Sequence, residues 1–133
     1  MIYDLTIIGG GPAGVAAGVY AARKELKTLF VTKDWNSQSV VSEGIENWIG
    51  TVKISGPEFA KNLENHLRAY ARDVVDVHVG ESVEKIEKGF KIITNKGTYE
   101  SKTVLITAGS NRKKLEAIGA DKFEHKGLTY CAS

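Results

Sequence analysis

Cysteine is nearly missing from this chain, which has one, Cys131, in 133 residues. A lone thiol cannot build an intrachain disulphide framework. With no basic segment ahead of an apolar run at the N-terminus, that scarcity points to a reducing cytoplasmic setting. No apolar stretch meets the ~20 residues of a membrane span. The nearest candidate, Leu5 to Ala22, is broken by glycines and closed by Arg23 and Lys24. Neither sign of charge dominates. The formal net charge is +2 and no Lys/Arg cluster carries interleaved aromatics, so there is no electrostatic ground for a nucleic-acid partner. The three histidines, His66, His78 and His125, have no metal-ligand spacing and are read as structural or solvent-exposed. No internal repeat or low-complexity tract appears. What remains, 42% hydrophobic and 26% charged residues, describes one globular domain with a core of ordinary size.

Glycine, by contrast, is plentiful, and it is concentrated where it matters most. From Tyr3 to Tyr20 the chain reads YDLTIIGGGPAGVAAGVY. A short apolar run, Leu5 to Ile8, passes through three glycines into an alanine-rich segment, which predicts a strand, a tight turn and a helix. Gly9, Gly11 and Gly14 satisfy G-x-G-x-x-G. Gly9 allows the sharp turn, Gly11 leaves room for a pyrophosphate against the backbone, and Gly14 lets the helix pack closely on the sheet. The N–H groups and positive dipole end of that helix face whatever sits over the turn. A second strand, Thr28 to Thr32, follows on schedule for a βαβ unit. The acid that takes ribose hydroxyls is expected about 20 residues past the glycines, and Thr32 stands there. Asp34 two residues on, or the Thr32 hydroxyl itself, is available for that role.

Both prolines of the chain fall in predicted first helical turns, Pro12 in the helix that runs to Lys24 and Pro57 in the next. Between them Lys33 to Ser55 lacks periodicity, and long irregular stretches inside compact domains are usually functional. Ser55, Pro57 and Glu58 then form a capping box. Phe59, Leu63, Leu67 and Tyr70 follow as an apolar stripe, with Lys61, Glu64 and Arg68 facing water. From Asp73 the period changes to two: Val75, Val77 and Val79 share one strand face, Asp76 and His78 the other. Ser82 to Glu87, Phe90 to Thr94 and Thr98 to Ser101, joined by glycine-containing turns, predict a three-stranded antiparallel meander. Thr103 to Thr107 reads as a strand buried on both faces, ending at Ala108-Gly109. Trp35 and Trp48 are read as packing residues.

These segments resemble the low-molecular-weight thioredoxin reductases and the flavoprotein subunit of alkyl hydroperoxide reductase. The resemblance is carried by IGGGPAG at Ile8 to Gly14, Y-x-A-R at Tyr20 to Arg23 and GIENWIG at Gly44 to Gly50. It continues with ISGPEF at Ile54 to Phe59, ITAG at Ile106 to Gly109 and GLTYCAS at Gly127 to Ser133. It implies a Rossmann-like FAD-binding α/β fold with a parallel sheet and the meander, incomplete relative to the family. Residues 1–112 would be the first segment of the FAD-binding domain and 113–133 the crossover into a domain for NADPH and the redox cysteines. FAD would lie against Gly9, Gly11, Pro12, Ala13 and Gly14, with Thr32, Lys33 and Asp34 beside it. Gln38 and Asn47 match residues near the flavin, Val83 the adenine contact, and Gly109 the turn that approaches the cofactor. The family loop ends in Gly-Gly-Gln where this chain has Asn36-Ser37-Gln38.

Cys131 matches the first cysteine of the family's C-x-x-C, whose second would fall one residue past Ser133. With one thiol and no second glycine fingerprint, the chain is expected to be the opening part of a longer homodimeric enzyme. That enzyme would pass electrons from NADPH through FAD to a thioredoxin-like or peroxiredoxin-type disulphide protein. Two other readings stay open at this point. One is a ferredoxin–NADP reductase of the thioredoxin-reductase-like type; the other is a non-catalytic flavin- or nucleotide-binding domain.

Overall fold

A computed structural model describes residues 1–111 and 113–130. In chain order the elements are β1 (Ile2–Tyr3), β2 (Leu5–Ile8), α1 (Pro12–Arg23), β3 (Thr28–Thr32), α2 (Gly56–Ala71) and β4 (Val75–Val79). They continue with β5 (Val83–Glu87), β6 (Lys91–Thr94), β7 (Thr98–Ser101), β8 (Val104–Ile106) and the short α3 (Ala120–Phe123). The segment between β3 and α2 holds a single 3-10 turn, Gln38–Val41, and an isolated bridge between Ile45 and Ile54.

Four strands form an all-parallel sheet in the order β4-β3-β2-β8. Numbered among themselves along the chain, they run 3-2-1-4, the order of a doubly wound nucleotide-binding sheet. β3 lies inside it and all five of its residues are buried, as an apolar and β-branched strand covered on both faces should be. On one face α1 and α2 pack against it, so that Ile7, Phe30 and Val75 from the sheet meet Val15, Val19, Leu67 and Ala71. On the other face Leu29 and Val31 meet Tyr3, with Val83 and Tyr99 alongside. Each fully buried Phe or Leu in these layers contributes about 1.5–3 kcal/mol. The meander supplies that third layer. β5, β6 and β7 pair antiparallel as expected, and β1, which the sequence does not announce, adds a parallel strand beside β7.

The helices obey their local signals. Ser55 accepts a hydrogen bond from the Glu58 N–H at 3.3 Å, and Phe59 and Leu67 are buried. Two residues of the expected α2 pattern differ. Tyr70 is exposed, its ring beneath the Arg23 guanidinium of the neighbouring helix instead of in the core. Glu64 is shielded rather than hydrated, held between Lys61 and Arg68 at 3.4 and 2.8 Å. Phe90 falls outside β6, at a positive φ of 55° in the turn. The largest departure is β8, where Leu105 and Ile106 are 40% and 65% exposed instead of buried on both faces. β8 pairs only with β2 among the described residues, so its outer edge has no neighbouring strand. Trp35 stacks on Phe30 and Trp48 meets Phe59 edge-on, both as packing residues. No helix is long and apolar enough to cross a membrane among the described residues.

Candidate functional site

The C-terminal ends of β2, β3 and β8 come together at the point where the strand order reverses. In open α/β sheets that crevice is where ligands bind. Here it is a cleft of about 660 Å³ floored by Ile8, Thr32 and Thr107 and roofed by the loops that follow each strand. Gly9 turns the chain off β2 with φ +112°, and a Cβ on it would overlap the Thr107 carbonyl. Gly14 sits one turn into α1 against the Gly9 carbonyl, where a Cβ would also lie 2.7 Å from Thr107 Oγ1. Thr107 locks this corner by donating its hydroxyl to the carbonyls of Ile8 and Gly9 at 2.9 and 3.2 Å. The first turn of α1 is therefore rigidly aimed at the cleft.

That turn carries no acidic residue, and its N-cap, Gly11, gives no side-chain cap. The contrast with α2, capped by Ser55 and with Glu58 in its first turn, is direct. The N–H groups at the head of α1, with their share of the helix dipole, are thus available to an anion in the cleft. Gly11 itself is open toward the cleft, its nearest neighbour for an added Cβ being Ser37 Cβ at 3.4 Å.

Most residues singled out from the sequence converge here. Gly9, Gly11, Pro12 and Ala13 line one wall of the cleft. Thr32, Lys33, Asp34 and Gln38 line a second, and Val83 and Gly109 border the remaining sides. Gly14 lies behind the wall as a packing residue. Asn47 is exposed on the loop before α2 and does not line the cleft. Cys131 lies outside the described residues. Of the histidines, His66 and His125 are exposed, and no metal-binding group of His, Cys, Asp and Glu exists among the described residues.

Three contributors are not legible in the sequence. Thr107 there is only a strand end. Asn111 accepts a hydrogen bond from Gln38 Nε2 at 3.3 Å, joining two loops that border the cleft. Glu81, directly after Gly80 in the turn leaving β4, is a buried carboxylate on the cleft's border. Its oxygens accept from Tyr99 Oη at 2.8 Å and from the Thr94 hydroxyl, and pair with His78 Nδ1 at 2.9 Å. Burial pushes the Glu81 carboxyl upward, but the bonds from Thr94, Tyr99 and His78 outweigh it and hold it below the usual carboxylate range. The glycine before it is the only local signal, and its partners lie up to 18 residues away.

Residues 3–133 match the family model described as pyridine nucleotide-disulphide oxidoreductase. The chain belongs to that family. Among its relatives, an alkyl hydroperoxide reductase subunit of Staphylococcus epidermidis is 36% identical over 130 residues, 97% of this chain and 26% of that protein. An NADH dehydrogenase of Bacillus subtilis is 33% identical over 129 residues, 97% of this chain and 25% of that protein. Among solved structures, thioredoxin reductase from Streptococcus pyogenes superposes with a TM-score of 0.83 at 34% identity, covering 98% of this chain and 43% of that one. The fold is thus that of the thioredoxin reductases, as the sequence resemblance implies. The chain spans about a quarter of the length of these curated relatives. By its description, the pyridine nucleotide-disulphide oxidoreductase family couples a pyridine nucleotide to a disulphide.

Proposed function

We propose that this chain is the FAD-holding part of a thioredoxin-reductase-like flavoprotein that carries electrons from NADPH to the disulphide of a thioredoxin-like or peroxiredoxin-type protein. The observation that carries the reading is the head of α1, free of any side-chain cap and fixed at the strand-order reversal. It occurs in a chain 34% identical to a thioredoxin reductase across 98% of its length. FAD, when bound, supplies a relay between two-electron hydride chemistry and thiol–disulphide exchange. The amides of Ala13 and Gly14 would hold its diphosphate, with Gly11 keeping the approach clear and the Lys33 ammonium adding positive charge. Val83 would flank the adenine. Gln38, braced by Asn111, and Gly109 would border the path toward the flavin, and Asn47 would reach it from the loop before α2.

In this reading residues 1–112 are the first segment of the FAD domain and 113–133 lead into the domain that holds NADPH and the redox pair. Cys131 would be one member of that pair. A thiolate attacking a disulphide needs a partner cysteine to resolve the mixed disulphide, so the chemistry belongs to the whole enzyme. That enzyme is proposed to be a cytoplasmic homodimer. Two measurements test the function. FAD added to the purified chain should be retained through gel filtration with quenched flavin fluorescence, and the full-length protein should reduce a thiol-reactive disulphide dye with NADPH. A full-length protein that holds FAD yet reduces no disulphide with NADPH or NADH would remove the assignment.

A further inference from the structure

Ser37 opens the 3-10 turn Gln38–Val41 from the N-cap position, where a serine ordinarily bends its hydroxyl back onto an amide of the first turn. It does not do so here. No side-chain cap forms, and among the described residues the Ser37 hydroxyl has no partner. The backbone that carries it is nonetheless held on both sides. The Ser37 N–H donates to the Trp35 carbonyl and the Ser37 carbonyl accepts from the Val40 N–H, each at 3.0 Å, while Asp34 Oδ1 accepts from the Asn36 N–H at 2.7 Å. The side chain therefore stands in a fixed place, half-buried on the wall of the cleft opposite the head of α1. Its Cβ is the nearest atom, at 3.4 Å, to the space that a Cβ on Gly11 would occupy.

The head of α1 is short of donors. Pro12 has no N–H, and the Val15 amide already donates to the Gly11 carbonyl at 3.0 Å, which leaves the amides of Ala13 and Gly14. The hydroxyls of Thr32 and Thr107, close by in the cleft, both donate to backbone carbonyls. A diphosphate has more charged oxygens than two amides can satisfy, and an uncommitted hydroxyl lodged beside the helix head is a charge-assisted donor to it. Resting on the FAD reading above, we infer that Ser37 donates its hydroxyl to the bound diphosphate from the loop side of the cleft. The position is the one that the family loop gives to the second glycine of Gly-Gly-Gln, so the contact is particular to this chain. The serine adds a donor there and leaves the approach over Gly11 open.

The test is titration of the purified chain, of Ser37→Ala and of Ser37→Gly with FAD, read by quenching of flavin fluorescence, with ADP as competitor. A hydrogen bond to a charged group ordinarily gives about tenfold or more in affinity, so both variants should bind FAD at least about fivefold more weakly, and ADP likewise. A loss in Ser37→Ala of less than about fivefold overturns the inference while leaving the nucleotide site standing. So does Ser37→Gly binding FAD more tightly than the parent, because the side chain is then an obstruction. A loss confined to FAD puts the hydroxyl on the flavin and not on the diphosphate, which also overturns it. Ser37→Ala should melt within about 4 °C of the parent, since the hydroxyl serves no turn of the chain; a larger fall gives the hydroxyl a structural role and counts against the contact. Failure of the unaltered chain to bind FAD or ADP at millimolar concentration removes the nucleotide reading itself, and the inference with it.

Discussion

Gly11 and Gly14 belong to one glycine fingerprint yet should behave oppositely on substitution. Gly14→Ala gains about 1 kcal/mol of helix propensity. Against this, its methyl would overlap the Gly9 carbonyl and sit 2.7 Å from Thr107 Oγ1. Those atoms belong to a turn held by the Gly9 N–H bond to Val31 and by the Thr107 hydroxyl, so they cannot retreat without dragging β3 and β8. Overpacking of that kind costs about 1–3 kcal/mol and more where backbone must move. Here backbone must move, so the cost is about 3–4 kcal/mol, and the expected net loss after the propensity gain is about 2–3 kcal/mol, or a fall in Tm of about 10 °C for a domain of this size. Gly11→Ala is the counterpart. Its φ of −80° suits any residue and its Cβ would meet only Ser37 Cβ at 3.4 Å. The unfolded-chain entropy gain of about 0.4–1 kcal/mol roughly offsets the poorer N-cap. Its Tm should stay within about 4 °C of the parent, yet under the proposed function the methyl would stand where the diphosphate approaches, so FAD affinity should drop at least tenfold. Thermal unfolding by circular dichroism and FAD titration by fluorescence quenching read the two effects separately. A Gly14→Ala protein melting within about 2 °C of the parent, which is under about 1 kcal/mol, would refute the packing argument. Unchanged FAD affinity in Gly11→Ala would refute the placement of the ligand.

Ser55→Ala should cost about 1 kcal/mol through loss of the α2 cap, seen as a lower urea midpoint with an unchanged slope. Tyr3→Phe deletes the hydroxyl that donates to Asp76 Oδ2 at 2.7 Å and should cost about 1 kcal/mol in the same assay. Glu81→Gln should cost about 2 kcal/mol at pH 7, since three donors then face a neutral group. Because the folded carboxyl is held below its unfolded value of about 4.3, its stabilisation is present above that pH and lost as pH falls through the lower folded value. Urea titrations at pH 3 and pH 7 should therefore show the parent–variant gap narrowing at the acid end, and a gap that widens there would contradict the network. With Leu105 and Ile106 exposed on the open edge strand β8, the chain is expected to self-associate in sedimentation velocity. Ile106→Thr should reduce that association without lowering its Tm, because the side chain it replaces lies mostly in solvent.

Where the sequence speaks clearly, the physical cause is local. β3 occupies Thr28–Thr32 because five apolar or β-branched residues in a row can be satisfied only between two covered faces. α2 begins after Ser55 because a capping side chain and a first-turn proline leave few other ways to fold. The cleft wall at Gly9, Gly11, Pro12 and Ala13 is readable for the same reason, since the glycine spacing is itself the geometry of a turn. What escapes notice depends on partners far along the chain. Ile2–Tyr3 is too short for any periodicity, and it becomes a strand only because β7 offers an edge at Glu100 and Ser101. Glu81 in a turn looks like any surface acid until the meander folds back and brings Thr94 and Tyr99 over it.

The two kinds of information meet in the β4 strand. Its alternation is visible in the sequence and one face is polar as expected, but polarity there does not mean exposure. Asp76 and His78 turn toward the meander, where Asp76 receives the Tyr3 hydroxyl and His78 meets Glu81 and Tyr99. An alternating strand therefore states only that its faces differ in chemistry; whether the polar face meets water depends on what the topology lays across it. In this fold the layer laid across it is the meander, and the polar face of β4 joins the two sheets beside the cleft. The polar contacts there do what a purely apolar seam could not. Side chains from β1, β4 and β7 are fixed by directional bonds, which hold the meander, and with it Val83, in one register over the strand ends.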